Sequence, residues 1–348
     1  MGRRRDPIER AADSSADLQE VSTWEPRTRL DRFAAWLYAA ISYGLHAIVI
    51  AVALLITISL LVSPTVLVLD QPLVGMFFAL SVVPAGLLAA YIWYTDITTN
   101  EPLGLLVGTF VLAVLFATFA AVTNTVAGAF LHPIPVIGTV LFFYLIVGHV
   151  EETVKLLAVR VLAYRSDSFN AVIDGAVYGA IAGLGFAAIE NALYITQTID
   201  TASTDASLFA AATGITTSRA LAGPGHVIYS AIAGYYLGLA KFNPDNAGPL
   251  VIKGLLIAAF VHGTYNTTVQ IVPSLLAARW ALGSTGSVIV YIIAFDLVIA
   301  YYLYRKISRY RRTYRAVRKD IHGRYPSELT EFEPPQRSRA ENTRDERF

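Results

Sequence analysis

No cysteine occurs in the 348 residues, so disulfides, a thiol nucleophile and thiolate metal ligands are all excluded. Charge is scarce as well. Asp, Glu, Lys and Arg make up 15% of the chain, where a soluble domain carries about 25%, and the mean hydropathy is +0.52. Most of that charge is crowded into the two ends. An HExxH pattern is missing, and with it the commonest sequence mark of a zinc protease. There is no repeat with a period of roughly 20–50 residues. A cleavable leader is not expected, because the first apolar run is too long for a signal core and lacks a small-residue cleavage pattern after it.

What the chain does have is apolar runs. Eight are visible, at 34–62, 75–94, 103–122, 136–163, 170–195, 220–240, 249–272 and 286–304, lengths suited to a hydrocarbon core of ~30 Å. Gly148 and a pair of glutamates interrupt the fourth, and Gly223-Pro224-Gly225 is expected to break the helix of the sixth. With eight crossings and both tails cytoplasmic, 24 of the 27 Lys and Arg residues fall on the cytoplasmic side, leaving Arg219 and Arg279 outside and Lys155 within a span. That is the distribution the positive-inside rule requires.

The expected fold is therefore all-α: a polytopic, multi-pass cell-membrane protein of about eight transmembrane helices bundled around a polar intramembrane site. Residues 1–32 read as a disordered cytoplasmic tail and 33–305 as the transmembrane domain. Residues 306–348 read as a basic juxtamembrane helix followed by a disordered tail. The segment from Tyr304 to Asp320 mixes basic and aromatic residues at near-helical spacing, which suits a helix running from the last span into anionic lipid headgroups. It is not read as a nucleic-acid site. Residues 196–218, rich in Thr, Ser and Ala, are expected to be the longest outer loop, a solvated connector.

Against this apolar background five ionisable residues stand out: Glu151, Glu152, Glu190, His226 and His262. Such groups at membrane depth cost several kcal/mol unless they face a cavity or one another. At 1.5 Å per helical residue, Glu151, His226 and His262 come out roughly 20, 22 and 18 Å from the cytoplasmic ends of their spans, with Glu190 further out at roughly 25–30 Å. Their neighbours are spaced to share helix faces: Glu151 with Lys155, Phe186 with Glu190 beside Asn191, His226 with Ser230, and His262 with Asn266. Gly175, Gly179 and Gly183 form a stripe that lets another helix approach closely. Asp174 reads as a cap or a partner for a basic residue, and Asp296 is given no role.

Carboxylates and histidines together either activate water as general bases or hold a metal that does so, while Asn and His N–H groups can stabilise an oxyanion. The set points to amide hydrolysis in or near the membrane. In the elements Glu151-Glu152-x-x-Lys155, Phe186-x-x-x-Glu190-Asn191, His226-x-x-x-Ser230 and His262-x-x-x-Asn266, in that order across 136–272, the chain resembles the PrsW protease family, within the larger group of type II CAAX prenyl endopeptidases and bacteriocin-immunity proteins. The prenyl-protease branch has His where Glu190 stands and Arg where Leu156 stands, which favours the PrsW branch.

The resemblance implies an intramembrane endopeptidase acting on a membrane-anchored protein, an anti-sigma factor in PrsW. It implies Glu151 as water activator, Glu152 as its partner, and His262 and Asn266 as contacts to the substrate carbonyl. Glu190 and His226 stay open as acid, second base or ligand, with Lys155, Phe186, Asn191 and Ser230 in support. The preferred reading needs no cofactor. The alternative is zinc held by Glu151, Glu190, His226 and His262. A proton-coupled transporter would use buried carboxylates too, although no inverted repeat is visible, and an inactive binding or immunity protein is the remaining alternative.

Overall fold

A computed structural model describes residues 17, 25–98, 101–200, 205–280 and 283–324. The disordered stretches expected at the far ends of both tails lie outside the described residues. The chain divides into two compact units, Met1–Leu61 and Val62–Phe348. In the first, helix α1 (Arg29–Asp70) begins. Its start is fixed by a reciprocal cap: the Thr28 hydroxyl accepts the Asp31 amide at 3.1 Å and the Asp31 carboxylate accepts the Thr28 amide at 2.8 Å, which satisfies two otherwise orphan donors.

The second unit holds the rest. Helix α2 (Pro72–Tyr94) opens on a proline, whose fixed φ suits a first helical turn, and α3 (Leu103–Leu131) follows Pro102. Then come α4 (Ile137–Leu141), a wide π-helical turn (Phe142–Val147) and α5 (Gly148–Val161). After these run α6 (Val172–Asp200), α7 (Asp205–Lys241), α8 (Ala247–Thr268), the short α9 (Val272–Trp280) and α10 (Gly283–Arg324). Every regular element among the described residues is helical.

Five segments are long and apolar enough to cross a membrane: Pro72–Tyr94, Leu103–Leu131, Val172–Ile199, Pro244–Thr268 and Gly283–Val317. The protein is a polytopic, all-α membrane protein. In α6, 78% of the most apolar window is buried inside the protein, against 22–28% in the other four. Helix α6 and the second half of α7 are thus the axial elements, while α2 and α3 keep exposed faces such as Leu73, Leu80 and Leu87 on α2 or Val107 and Val111 on α3.

Glycine sets the register at the axis. A Cβ on Gly175, Gly179 or Gly183 would collide with the backbone of α7 at Gly234, Ser230 and His226 respectively. Without side chains there, the two backbones touch, which packs α6 against α7 and lines up Gly183 with His226. Gly148 does the same for α5 against the Ala259 carbonyl of α8.

Two expectations change. Residues 196–200 and 205–218, expected to belong to an outer loop, are helical: α6 runs to Asp200 and α7 starts at Asp205. The Thr and Ser side chains that suggested a solvated connector (Thr198, Thr213, Thr217 and Ser218) bond back to carbonyls four residues earlier, a pairing that lets polar residues live on a helix. The Gly223-Pro224-Gly225 triplet does not break α7, which continues through Pro224. Gly223 instead gives room for Ala85 and Gly225 for the Tyr229 ring. The fourth apolar run, by contrast, is divided, into α4, the π turn and α5. The helix expected to continue from the last span through the basic segment is present, as α10 to Arg324.

Candidate active site

The π turn ends directly before Gly148, and α5 then presents Glu151, Glu152 and Lys155 inward, all buried. Wide turns of this kind re-aim the residues that follow and recur at functional sites. Glu152 is fully buried and fully bonded. Its Oε1 accepts from Lys155 Nζ at 2.7 Å and from His262 Nδ1 at 2.9 Å, and its Oε2 accepts from the Ser230 hydroxyl at 3.0 Å. A buried charge this well partnered holds three helices, α5, α7 and α8, in one arrangement.

Glu151 is different. Its Oε1 accepts from Asn124 Nδ2 of α3 at 3.0 Å, but its Oε2 is buried without a hydrogen-bond partner. That oxygen lies 3.7 Å from both Lys155 Nζ and His262 Nε2. With His262 Nδ1 donating to Glu152, the other ring nitrogen, Nε2, is turned toward Glu151.

Lys155 sits at the hub, with Nζ 3.0 Å from His226 Nδ1 and 4.2 Å from the centre of the Phe186 ring. With the ammonium donating to Nδ1, His226 carries its hydrogen on Nε2 and donates it to Glu190 Oε2 at 2.9 Å. Glu190 also pairs with Arg219. The Arg219 Nε in turn donates to Asn191 Oδ1 at 2.8 Å, and Asn191 Nδ2 donates to the Ser81 carbonyl of α2 at 3.0 Å. The imidazole rings of His226 and His262 lie 5.2 Å apart.

A cavity of about 600 Å³ opens beside this network. Glu151, Glu190, His226, His262, Asn266 and Phe186 line it, whereas Glu152, Lys155, Ser230 and Asn191 stand behind the wall. The sequence-derived residues are therefore brought together in two shells, one facing the cavity and one holding the first in place. Glu190, expected nearer the outer surface, is within the same network, because the α6–α7 register pins it beside His226.

Sequence reading missed three contributors. Asn124 resembled any polar residue on an apolar span. Arg219 was assigned to outer topology, yet it is partly buried and pairs with Glu190. Tyr194, one turn beyond Glu190, takes the Arg219 guanidinium over its ring at 4.5 Å. A lone arginine between an apolar helix and a Gly-Pro-Gly triplet was the available signal.

Glu151, His226 and His262 each offer one ligand atom, all within 4.8 Å of one another. Two imidazoles and a carboxylate are a donor set suited to zinc. The bond from His262 Nδ1 to Glu152 is the carboxylate–imidazole support that ligating histidines use.

Fold and site together define a polytopic helical membrane protein with a buried acid–histidine pocket. A family model described as PrsW family intramembrane metalloprotease matches residues 101–301. Proteins named Protease PrsW are similar over about half of the chain. That of Shouchella clausii is 26% identical over 189 residues, covering 53% of this chain and 78% of its own. That of Bacillus subtilis is 28% identical over 193 residues, with coverage of 53% and 78%. That of Oceanobacillus iheyensis is 30% identical over 187 residues, with coverage of 53% and 79%. No solved structure matches the chain significantly. The chain belongs to the PrsW family of intramembrane proteases, and its activity is that of a membrane endopeptidase.

Proposed function

We propose that this chain hydrolyses a peptide bond of a membrane-anchored protein within the cavity, with Glu151, His226 and His262 holding a zinc-class ion. The observation that carries the reading is the grouping of Glu151, His226 and His262, whose ligand atoms lie within 4.8 Å of one another on the cavity wall, with Glu151 Oε2 making no hydrogen bond. A buried carboxylate oxygen with no hydrogen bond, facing two imidazoles across a cavity, is suited to bind a cation.

A bound ion of this class supplies Lewis acidity, lowering the pKa of water and polarising a carbonyl. The chain's own residues do the rest. Glu152 fixes the His262 tautomer and orientation through its Nδ1 hydrogen. Lys155 offsets the paired carboxylates from within the protein. Glu190, steered by Arg219, faces the cavity and is positioned to accept a proton from the attacking water and return it to the leaving amine. Asn266, one turn after His262 on the cavity wall, is placed to donate to the substrate carbonyl. Burial of the network keeps bulk water from competing for these contacts.

A second reading rests on its own observation. Both ring nitrogens of His226 are engaged, one by Lys155 and one by Glu190, so His226 offers an ion no lone pair unless its hydrogen moves. In that case the site works without metal, and Glu151 itself takes the water proton.

The experiment uses the full-length protein in lipid nanodiscs with a single-span protein substrate. On the first reading chelation abolishes cleavage, zinc restores it, and Glu151→Gln is inactive and metal-poor. Cleavage indifferent to chelation, with Glu151→Gln still inactive, establishes the metal-free mechanism. A Glu151→Gln variant that cleaves at the wild-type rate overturns both.

The family likeness favours an anti-sigma-factor-like substrate. The distribution of Lys and Arg supports eight crossings with both termini cytoplasmic. Near the end of α10, Tyr301, Tyr304, Arg305, Arg311, Arg312 and Arg315 line a cleft of about 390 Å³, chemistry suited to an anionic lipid headgroup.

A further inference from the structure

A second set of acids meets inside the bundle. Asp96 and Glu101 lie between α2 and α3, and Asp174 lies in the first turn of α6. One carboxylate oxygen from each falls within 4.8 Å of the others. From Asp174 to Glu190 the helix rises about 24 Å, so this set is separate from the cavity.

Some of its oxygens are accounted for. Asp174 Oδ2 accepts the amides of Asn170 at 2.7 Å and Ala171 at 2.9 Å. Asp96 Oδ1 accepts the Thr98 amide at 2.8 Å and its hydroxyl at 2.7 Å. The Thr98 hydroxyl also lies 3.5 Å from Asp174 Oδ1, and three oxygens are left. Asp96 Oδ2 and both oxygens of Glu101 are buried with no hydrogen-bond partner, although Glu101 is only 4% exposed. The Tyr178 hydroxyl, one turn after Asp174 and within electrostatic reach of all three acids, is buried and unpartnered too.

Carboxylates this close repel one another strongly. Burial first, and then the Asp96 carboxyl beside it, push Glu101 up to about 8. Among the described residues no Lys or Arg forms an ion pair with the set. Lys241, which lies within electrostatic reach of Asp174, directs its ammonium to the carbonyls of Tyr164 at 2.8 Å and Ser166 at 3.2 Å.

We propose that Asp96, Glu101 and Asp174 bind a hard divalent cation of the magnesium, calcium or manganese class, tying the α2–α3 connection to the start of α6. The donors are all oxygen, with no imidazole among them, which suits these ions rather than zinc. The unpartnered Glu101 carboxylate supplies the opening, and the Thr98 hydroxyl, 2.7 Å from Asp96 Oδ1 and 3.5 Å from Asp174 Oδ1, stands beside it. Such an ion sets the position of α6, an axial helix that carries Glu190.

The test takes the full-length protein, stripped with EDTA, in nanodiscs, with manganese(II) as probe by electron paramagnetic resonance. Glu151→Gln serves as the background, which removes a ligand of the cavity set. The expected result is bound manganese that calcium or magnesium displaces. Its affinity should fall about tenfold or more in Asp96→Asn and in Glu101→Gln. Unchanged affinity in both variants, or no bound manganese, overturns the proposal. In case a variant does not fold, the wild-type protein decides alone: calcium or magnesium should raise its unfolding temperature after stripping, and an unmoved temperature overturns the proposal.

Discussion

The bundle contains two buried groups of three carboxylates, and they are neutralised in opposite ways. Around Glu151, Glu152 and Glu190 the chain supplies its own cations and imidazoles: Lys155, Arg219, His226 and His262, each within 4 Å of a carboxylate. Around Asp96, Glu101 and Asp174 it supplies backbone amides, hydroxyls and no ion pair among the described residues. In the first group Glu151 Oε2 makes no hydrogen bond, but Lys155 and His262 stand 3.7 Å from it. The second has three oxygens without a hydrogen bond and, among the described residues, no ion pair to meet them. The proposed ions therefore differ in kind: the mixed imidazole and carboxylate donors of the first group suit zinc, and the all-oxygen donors of the second suit a harder cation.

The comparison can be broken most sharply at the free oxygen. Glu151→Gln keeps the shape of the side chain and its bond from Asn124, and removes the charge. Cleavage is expected to fall by about 10²–10⁴-fold, measured as turnover of a single-span substrate, with the unfolding midpoint little changed.

Removing the internal cation tests self-compensation itself. Lys155→Met leaves Glu152 buried without its closest charged partner and should cost about 3–5 kcal/mol of stability, read from chemical unfolding in mixed micelles. A loss well under ~1 kcal/mol would mean that Lys155 does not neutralise the site.

Close packing holds the first group together, so Gly179→Val should be destabilising by about 1–3 kcal/mol or more, because its Cβ meets the Ser230 backbone. Cleavage should fall with it as α6 and α7 separate. A stable, active Gly179→Val protein would show that the α6–α7 register does not set the site.

The smallest effect is expected from Ser230→Ala, which takes one of three donors from Glu152. A loss of about 1 kcal/mol in the same unfolding assay, with cleavage reduced but present, separates support from catalysis. Loss of all cleavage would move Ser230 into the reacting set.

Legibility in the sequence followed contrast. Glu151, Glu152, His226 and His262 were visible because ionisable side chains in apolar runs have few reasons to be there. Arg219 and Asn124 were not, since one arginine near a span end reads as topology and one asparagine on a long helix reads as tolerated polarity. Asp174 was read as a cap, and it does cap the approach to α6 at the Asn170 and Ala171 amides. Its meeting with Asp96 and Glu101 spans some 80 residues of chain, and no local spacing announces it. The 196–218 stretch misled because Thr and Ser look like loop residues until their hydroxyls find helical carbonyls.

Composition and periodicity by themselves determined the membrane setting, the helical class and the identity of most polar residues in the pocket, because hydrophobic length and buried charge are properties of the chain wherever it folds. Only the tertiary structure decided which oxygen of which glutamate is free, where Arg219 turns, and that a second acid group forms at all. Those depend on helix register, which is set by backbone contact at glycines far apart in sequence, and contacts of that kind have no one-dimensional signature.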